Sequence, residues 1–165
     1  MYFILFILFI IAQRLTELVV ARRNQKWLES QGAIEYGKEH YPFMIALHTA
    51  FIGSMIAEYW FSTGKQLDVT LLIIYLLLLS FKIWVLSSLG KYWNTRIFRV
   101  PGVGPVMKGP YKIFKHPNYF VVVCEVALIP LVFHLYYTAI IFSILNAVML
   151  WVRIGVENKV WAQPH

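Results

Sequence analysis

Five runs of apolar residues alternate with polar segments along this chain, at about residues 2–21, 43–61, 68–90, 118–134 and 135–156. Each run approaches the roughly 20 residues that an α-helix needs to cross the hydrocarbon core of a membrane. The fourth run is short and contains Pro130, and the turn that follows it is confined to residues 134–137, which predicts a tight helical hairpin. The pattern therefore predicts an all-α fold, an integral membrane bundle of five transmembrane helices.

The basic residues between these runs alternate in number and predict the orientation of the bundle. The segment after the first run and the segment after the third run are both rich in Lys and Arg, whereas the loop after the second run has only Lys65. Because loops rich in Lys and Arg stay in the cytoplasm, we expect the N-terminus outside and the C-terminus in the cytoplasm. The chain is thus predicted to be a multi-pass protein of the cell membrane.

Composition and charge are consistent with a membrane protein. Of the 165 residues, 59% are hydrophobic, and the mean hydropathy is +0.63, which exceeds that of typical soluble domains. The net charge of +7 indicates contact with anionic membrane lipids and not with nucleic acid. The first run lacks a preceding basic region and a cleavage site, so it predicts a retained helix. A single membrane-embedded domain, residues 1–165, is expected.

Three charged residues inside the predicted spans lie at a similar depth. Arg14, Lys82 and Glu125 are each about seven or eight residues from the cytoplasmic helix end, roughly 10–12 Å below the surface. Two interpretations remain open: a structural ion pair with a snorkelling cation, or the polar floor of a pocket. Glu17 and Asn146 can join either arrangement.

The segment GPYKIFKHPNY, residues 109–119, carries most of the candidate chemistry. Pro117 suits the first turn of a helix, and a helix N-terminus offers free N–H donors and a partial positive charge. His116 and Tyr119 are three residues apart and can share a face, and Tyr111 supplies another ring. These features predict a pocket for an anionic or amphipathic group, with a simple helix cap and interfacial aromatics as the alternative.

A second polar motif, RIGVENK at residues 153–159, ends the fifth run. Arg153 and Glu157 are four residues apart and share a helix face, so a plain salt pair is one interpretation. The predicted hairpin brings this end close to the N-terminus of the fourth helix. There the glutamate can hold an ammonium or sulfonium group, and the arginine can steer an anionic substrate. The Gly- and Pro-rich loop at residues 99–111 either approaches the ligand through its backbone or simply connects the elements.

Together, GPYKIFKHPNY, the hairpin and R-x-x-x-E resemble the isoprenylcysteine carboxyl methyltransferase family, integral membrane enzymes that use S-adenosylmethionine. The shared pattern is GPYxxxRHPxYxG, two helices, and then an Arg with an acidic cluster. The resemblance covers roughly residues 90–160, and QRLTELVVARRN resembles a bacterial branch of the family. It implies that residues 1–90 form a three-helix scaffold and residues 91–165 a cofactor-binding loop plus the hairpin.

The resemblance also implies a set of site residues. Arg153 would contact the substrate and take part in catalysis. Independently of the resemblance, no metal site is expected, because the histidines lack metal-ligand spacing and Cys124 is the single cysteine. The implied cofactor-binding residues are Val103, Gly104, Pro105, Val106, Tyr111, His116, Pro117, Asn118, Tyr119 and Glu157.

Three positions depart from the family pattern. Lys115 replaces an Arg, so a bidentate contact made there would be lost. Val121 replaces a Gly and is expected to narrow the pocket, and Asn158 replaces a second acidic residue.

The implied function is S-adenosylmethionine-dependent O-methylation of an acidic hydroxyl or carboxyl on a lipid-like substrate, at the cytoplasmic face. An alkylpyrone-type polyketide and an isoprenylcysteine-type carboxylate are the two substrate types considered, with membrane lipids and an upstream polyketide synthase as candidate partners. An oxygen that is already anionic at neutral pH needs no base, and a dry site favours its reaction with a sulfonium. The alternatives are phospholipid or amine N-methylation, an NADPH-dependent membrane reductase, and a non-catalytic lipid-binding protein.

Overall fold

The computed structural model describes residues 1–63 and 66–162, so Lys65 of the predicted outer loop and His165 lie outside the described residues. The fold is mostly helical, at 77%. The five helices are α1 (Tyr2–Ser30), α2 (Tyr41–Phe61), α3 (Val69–Leu89), α4 (Pro117–Leu131) and α5 (Tyr136–Ala162). Each predicted apolar run overlaps one of these helices. α1 continues beyond its run to Ser30, because the polar residues that follow are good helix formers.

Polar side chains fix the ends of several helices. Asp68 precedes α3 and accepts a hydrogen bond from the Leu71 backbone N–H at 3.0 Å, a normal N-cap. Glu58, at the end of α2, accepts from the Tyr137 and Thr138 backbone N–H groups at 3.0 and 2.7 Å. A carboxylate at a helix N-terminus satisfies free donors and complements the helix dipole. Glu58 therefore ties the end of α2 to the start of α5.

The all-α prediction missed a short antiparallel sheet. Strand β1 (Ile34–Tyr36) pairs with β2 (Ile97–Arg99), with Glu35 opposite Phe98. Strands of three residues are too short to show an alternating pattern, so the apolar runs gave no signal for them. The sheet joins the segment after α1 to the segment after α3.

Among the described residues, three helices are long and apolar enough to cross a membrane: Tyr2–Ser30, α3 with its following turn (Val69–Tyr92), and Tyr136–Ala162. Only 22–28% of each apolar window is buried inside the protein, so most of these side chains face outward, as a lipid-facing surface requires. α4 is a shorter apolar helix and α2 is not among the three. The protein is therefore organised as a membrane bundle around a small interior.

The charges predicted at one depth meet inside the bundle. Glu125 is completely buried and lies 2.8 Å from Lys82 Nζ and 3.1 Å from Arg14 Nη2. Glu17 pairs with both cations, and Gln13 donates to Glu125 at 3.0 Å. This charged network, defined by Gln13, Arg14, Glu17, Lys82 and Glu125, connects α1, α3 and α4.

Candidate active site

A cavity of about 480 Å³ opens at the end of the bundle where α4 begins and α5 ends. We call it the loop cavity, because the loop between α3 and α4 covers it. All but one of the site residues implied by the sequence line it. These are Val103, Gly104, Pro105, Val106, Tyr111, His116, Asn118, Tyr119, Arg153 and Glu157. The exception is Pro117, which is buried in the first turn of α4 and is not part of the lining.

The two ends of the α4–α5 hairpin meet at Glu157. The Tyr119 hydroxyl donates to Glu157 Oε2 at 2.7 Å, and Glu157 Oε1 lies 3.8 Å from His116 Nδ1. The His116 and Tyr119 rings share a face, with centroids 5.4 Å apart, because α4 begins at Pro117 and places them one turn apart. The site thus holds a carboxylate oriented by a phenol and flanked by an imidazole.

Two buried polar atoms of the loop cavity have no hydrogen-bond partner among the described residues: Tyr111 Oη and His116 Nε2. Burial raises the pKa of Tyr111, and the Glu157 carboxylate raises this pKa further, so the phenol keeps its proton. Because buried polar groups are normally paired, these atoms point to a missing partner. Together with Glu157 they suit a polar ligand that carries a positive charge as well as hydrogen-bonding groups.

The turn that carries Tyr111 is held close to α3 by Gly109. This glycine has a φ of +53°, which other residues adopt at a cost. A Cβ atom at this position would collide with the Ser88 hydroxyl and approach Trp84 Nε1 to 3.3 Å. Gly109 therefore allows the close approach that places Tyr111 at the cavity.

A second cavity of about 320 Å³ lies deeper in the bundle, and we call it the inner cavity. Arg14, Glu17 and Lys82 of the charged network line it, and so do His48 and Asn146. The charged network is thus both ion-paired and exposed to a cavity. The two interpretations given from the sequence, a structural ion pair and the polar floor of a pocket, are therefore compatible. The two cavities share a wall formed by five residues: Trp93, Asn94, Asn118, Tyr119 and Arg153.

Arg153 occupies the shared wall and is only 7% exposed. Its guanidinium donates to the Thr95 carbonyl at 2.9 Å and contacts the Met44 sulfur at 3.2 Å. The sequence offered a plain salt pair between Arg153 and Glu157 as one interpretation. Among the described residues, no ion pair joins these two side chains. Arg153 contacts Thr95 and Met44, while Glu157 is held by Tyr119, whose phenol also interacts with Arg153.

The three residues that depart from the family pattern lie in different places in the structure. Lys115 is exposed at the loop cavity, and Asn158 is exposed outside both linings. Val121 is completely buried and lines neither cavity, so the expectation that it narrows the pocket is wrong. Its side chain packs inside the bundle instead.

Sequence reasoning missed several lining residues. Trp93 and Asn94 belong to the segment after α3, and Met44 and His48 to α2. His48 is an ionisable residue inside an apolar run, which was the available signal. The others carry no chemical signature and reach the cavities through helix packing.

The fold and the two cavities define a helical membrane protein with a polar site at one end of its bundle. Residues 70–163 match the isoprenylcysteine carboxyl methyltransferase (ICMT) family, and the chain belongs to this family. Membership indicates an integral-membrane methyltransferase and confirms the resemblance seen in the sequence.

Two relatives from bacteria match nearly the whole chain. The uncharacterized protein YpbQ of Bacillus subtilis (strain 168) is 50% identical over 160 residues, which cover 95% of each chain. An uncharacterized protein of Haemophilus influenzae (strain ATCC 51907 / DSM 11121 / KW20 / Rd) is 29% identical over 156 residues, which cover 91% of this chain and 89% of the relative. No solved structure matches the chain.

Proposed function

We propose that this protein transfers a methyl group from S-adenosylmethionine to an acidic hydroxyl or carboxyl oxygen of a lipid-like acceptor. The observation that carries the proposal is the contact between Tyr119 and Glu157, which joins the two ends of the hairpin. Two buried polar atoms without a partner among the described residues lie in the same cavity, and Tyr119 belongs to the wall between the two cavities. The bundle crosses the membrane five times, with the N-terminus outside and the C-terminus in the cytoplasm. The active site then faces the cytoplasm, as the basic residues around it require.

The loop cavity fits the cofactor in size and chemistry. Its volume of about 480 Å³ lies in the range of small-molecule sites. The Glu157 carboxylate would face a positive charge, Tyr111 would donate a hydrogen bond, and the backbone of residues 103–106 would lie along the ligand. S-adenosylmethionine supplies, when bound, an electrophilic methyl group on a positively charged sulfur.

The inner cavity suits the acceptor. It lies next to the loop cavity and is walled by apolar helices, so a lipid tail can extend between them into the bilayer. Arg153 at the shared wall would orient an anionic oxygen, with its guanidinium held in place by Thr95 and Met44. A water-poor cavity favours a reaction in which opposite charges disappear, and the protein contributes mainly alignment. The cations Arg14, Lys82 and Arg153 disfavour a protonated amine acceptor.

Transfer of labelled methyl groups into lipid tests this function. The full chain, purified in detergent, is incubated with methyl-labelled S-adenosylmethionine and a lipid extract of the source cells, and products are identified by mass spectrometry. We expect a labelled methyl ether or ester, whereas a labelled amine would indicate N-methylation. Parallel calorimetry compares S-adenosylhomocysteine with NADPH. The proposal fails if no lipid is labelled and S-adenosylhomocysteine does not bind.

Substituting Gly109 by alanine should weaken S-adenosylhomocysteine binding about tenfold. The left-handed backbone costs alanine about 1–2 kcal/mol, and the added Cβ also collides with Ser88, which displaces the turn that carries Tyr111. Calorimetry in detergent measures the change. Gly102→Ala is the matched control, because Gly102 has a φ of +74° but open space around its Cβ position. Equal losses in the two variants would show that backbone strain, and not the contact with α3, sets the effect.

A further inference from the structure

His48 presents an unused nitrogen to the inner cavity. Its Nδ1 lies 2.8 Å from the Met44 carbonyl oxygen. Because a carbonyl only accepts hydrogen bonds, Nδ1 must carry the proton. In the neutral ring Nε2 is then a lone-pair acceptor, and among the described residues no further hydrogen bond is made by this ring. The tautomer is therefore fixed by α2 itself, and the basic nitrogen is left for a ligand.

The inner cavity around His48 carries more cations than carboxylates. Arg14 and Glu17 of α1, Lys82 of α3 and Arg153 of α5 line the same cavity, and Glu125 of α4 lies behind Lys82. These are three cations and two carboxylates, and both carboxylates already pair with Arg14 and Lys82. A proton on Nε2 before the reaction would add to this positive excess. Proton transfer to the ring becomes favourable when the positive charge of the methyl donor disappears.

Building on the methyl transfer proposed above, we propose that His48 is the general base for a hydroxyl acceptor that enters the inner cavity in its protonated form. An acceptor that arrives through the hydrocarbon of the bilayer is favoured as the neutral species, because burial disfavours an anion. Its proton must then be removed at the site. The acceptor that uses His48 is thus a lipid with a phenolic or enolic hydroxyl, because a lipid carboxylate is already ionised and needs no base.

The step is balanced in atoms and charge. The acceptor O–H bond breaks as its proton moves to His48 Nε2, while the oxygen forms a bond to the methyl carbon and the bond from that carbon to the donor sulfur breaks. The products are a neutral ether, a neutral thioether and an imidazolium. Positive charge appears on His48 as it disappears from sulfur, so the total charge of the site does not change. The imidazolium then releases this proton to bulk solvent before the next turnover.

Two probes with comparable hydrocarbon tails separate hydroxyl from carboxylate acceptors. An alkylresorcinol offers a phenol that is neutral at neutral pH, and an N-acetyl-S-prenylcysteine offers a carboxylate. We expect the wild-type chain to methylate the alkylresorcinol, and His48→Ala and His48→Gln to lower its kcat by roughly 10²-fold, the lower range for loss of a general base. The glutamine keeps hydrogen bonding but cannot take the proton. A merely structural role of His48 would spare His48→Gln.

Two further readouts are specific to proton transfer. The activity of His48→Ala on alkylresorcinol should recover as the pH approaches the phenol pKa, and added imidazole should rescue it by occupying the space of the lost ring. His40→Ala is the control, because His40 is a histidine that precedes α2 and lines neither cavity. Unchanged kcat in both His48 variants, or loss without alkaline or imidazole rescue, would overturn the role of His48.

The outcomes also separate this inference from the methyltransferase function. If only the prenylcysteine is methylated and His48→Gln is unaffected, the function stands and the base is wrong. If neither probe is methylated, nitrogen NMR of histidine-labelled protein decides. A shift of the unprotonated His48 nitrogen on adding alkylresorcinol supports hydroxyl binding there, and an unchanged signal overturns it.

Discussion

Replacing Glu125 by leucine should lower the free energy of unfolding by about 3–5 kcal/mol, because the buried Lys82 and the half-buried Arg14 both lose their completely buried partner. Glu125 is completely buried and accepts from Lys82 Nζ at 2.8 and 3.0 Å and from Arg14 Nη2 at 3.1 Å. Leucine of similar size fills the space but accepts no hydrogen bond. Glu17 alone then faces both cations. Equilibrium unfolding in mixed detergent micelles, followed by helix content, measures the loss.

The double variant Lys82→Met, Glu125→Leu distinguishes a charge effect from a packing effect. Replacing both members of a buried ion pair by apolar residues is often nearly neutral, so much of the lost stability should return. Arg14 keeps its contact with Glu17 at 2.9 Å in this background. If the single variant unfolds like the wild type, the charged network is not a structural element, and its remaining role is to line the inner cavity.

The helices could be predicted from the sequence because membrane spans are encoded locally. An apolar run of sufficient length is a helix wherever it lies in lipid, since its backbone must satisfy itself. The start of α4 could also be predicted from the local sequence, because Pro117 suits a first helical turn. The pairing of β1 with β2 was not predictable in the same way. Each strand has three residues, and the two lie far apart in the chain.

The site was predictable only for the residues that lie on the two polar motifs, residues 109–119 and 153–159. His116, Tyr119 and Glu157 converge because a hairpin brings the start of α4 to the end of α5, and the sequence predicted that hairpin. The partners of Arg153 were not predictable, because Thr95 and Met44 reach it from a loop and from α2. The position of His48 relative to this wall depends on how α2 packs against α5, which no local pattern encodes.

Substituting Glu157 by glutamine should weaken binding of S-adenosylhomocysteine by about 2–3 kcal/mol, or roughly 10²-fold in Kd, because it removes the negative charge of the loop cavity. The carboxylate is held by the Tyr119 hydroxyl at 2.7 Å and lies beside His116. Glutamine keeps the size and can still accept from Tyr119, so the geometry survives while the attraction for the positive amino group of the ligand is lost.

Lys159→Gln is the matched control for Glu157→Gln, because it neutralises an exposed charge at the same end of α5 and should leave Kd unchanged. Tyr119→Phe should cause a smaller loss, since it removes the donor that orients the carboxylate but leaves the negative charge in place. In the double variant the losses should not add, because Tyr119 acts through Glu157. Calorimetry in detergent gives all four constants. An unchanged Kd for Glu157→Gln would remove Glu157 from the cofactor site, and additive losses would separate it from Tyr119.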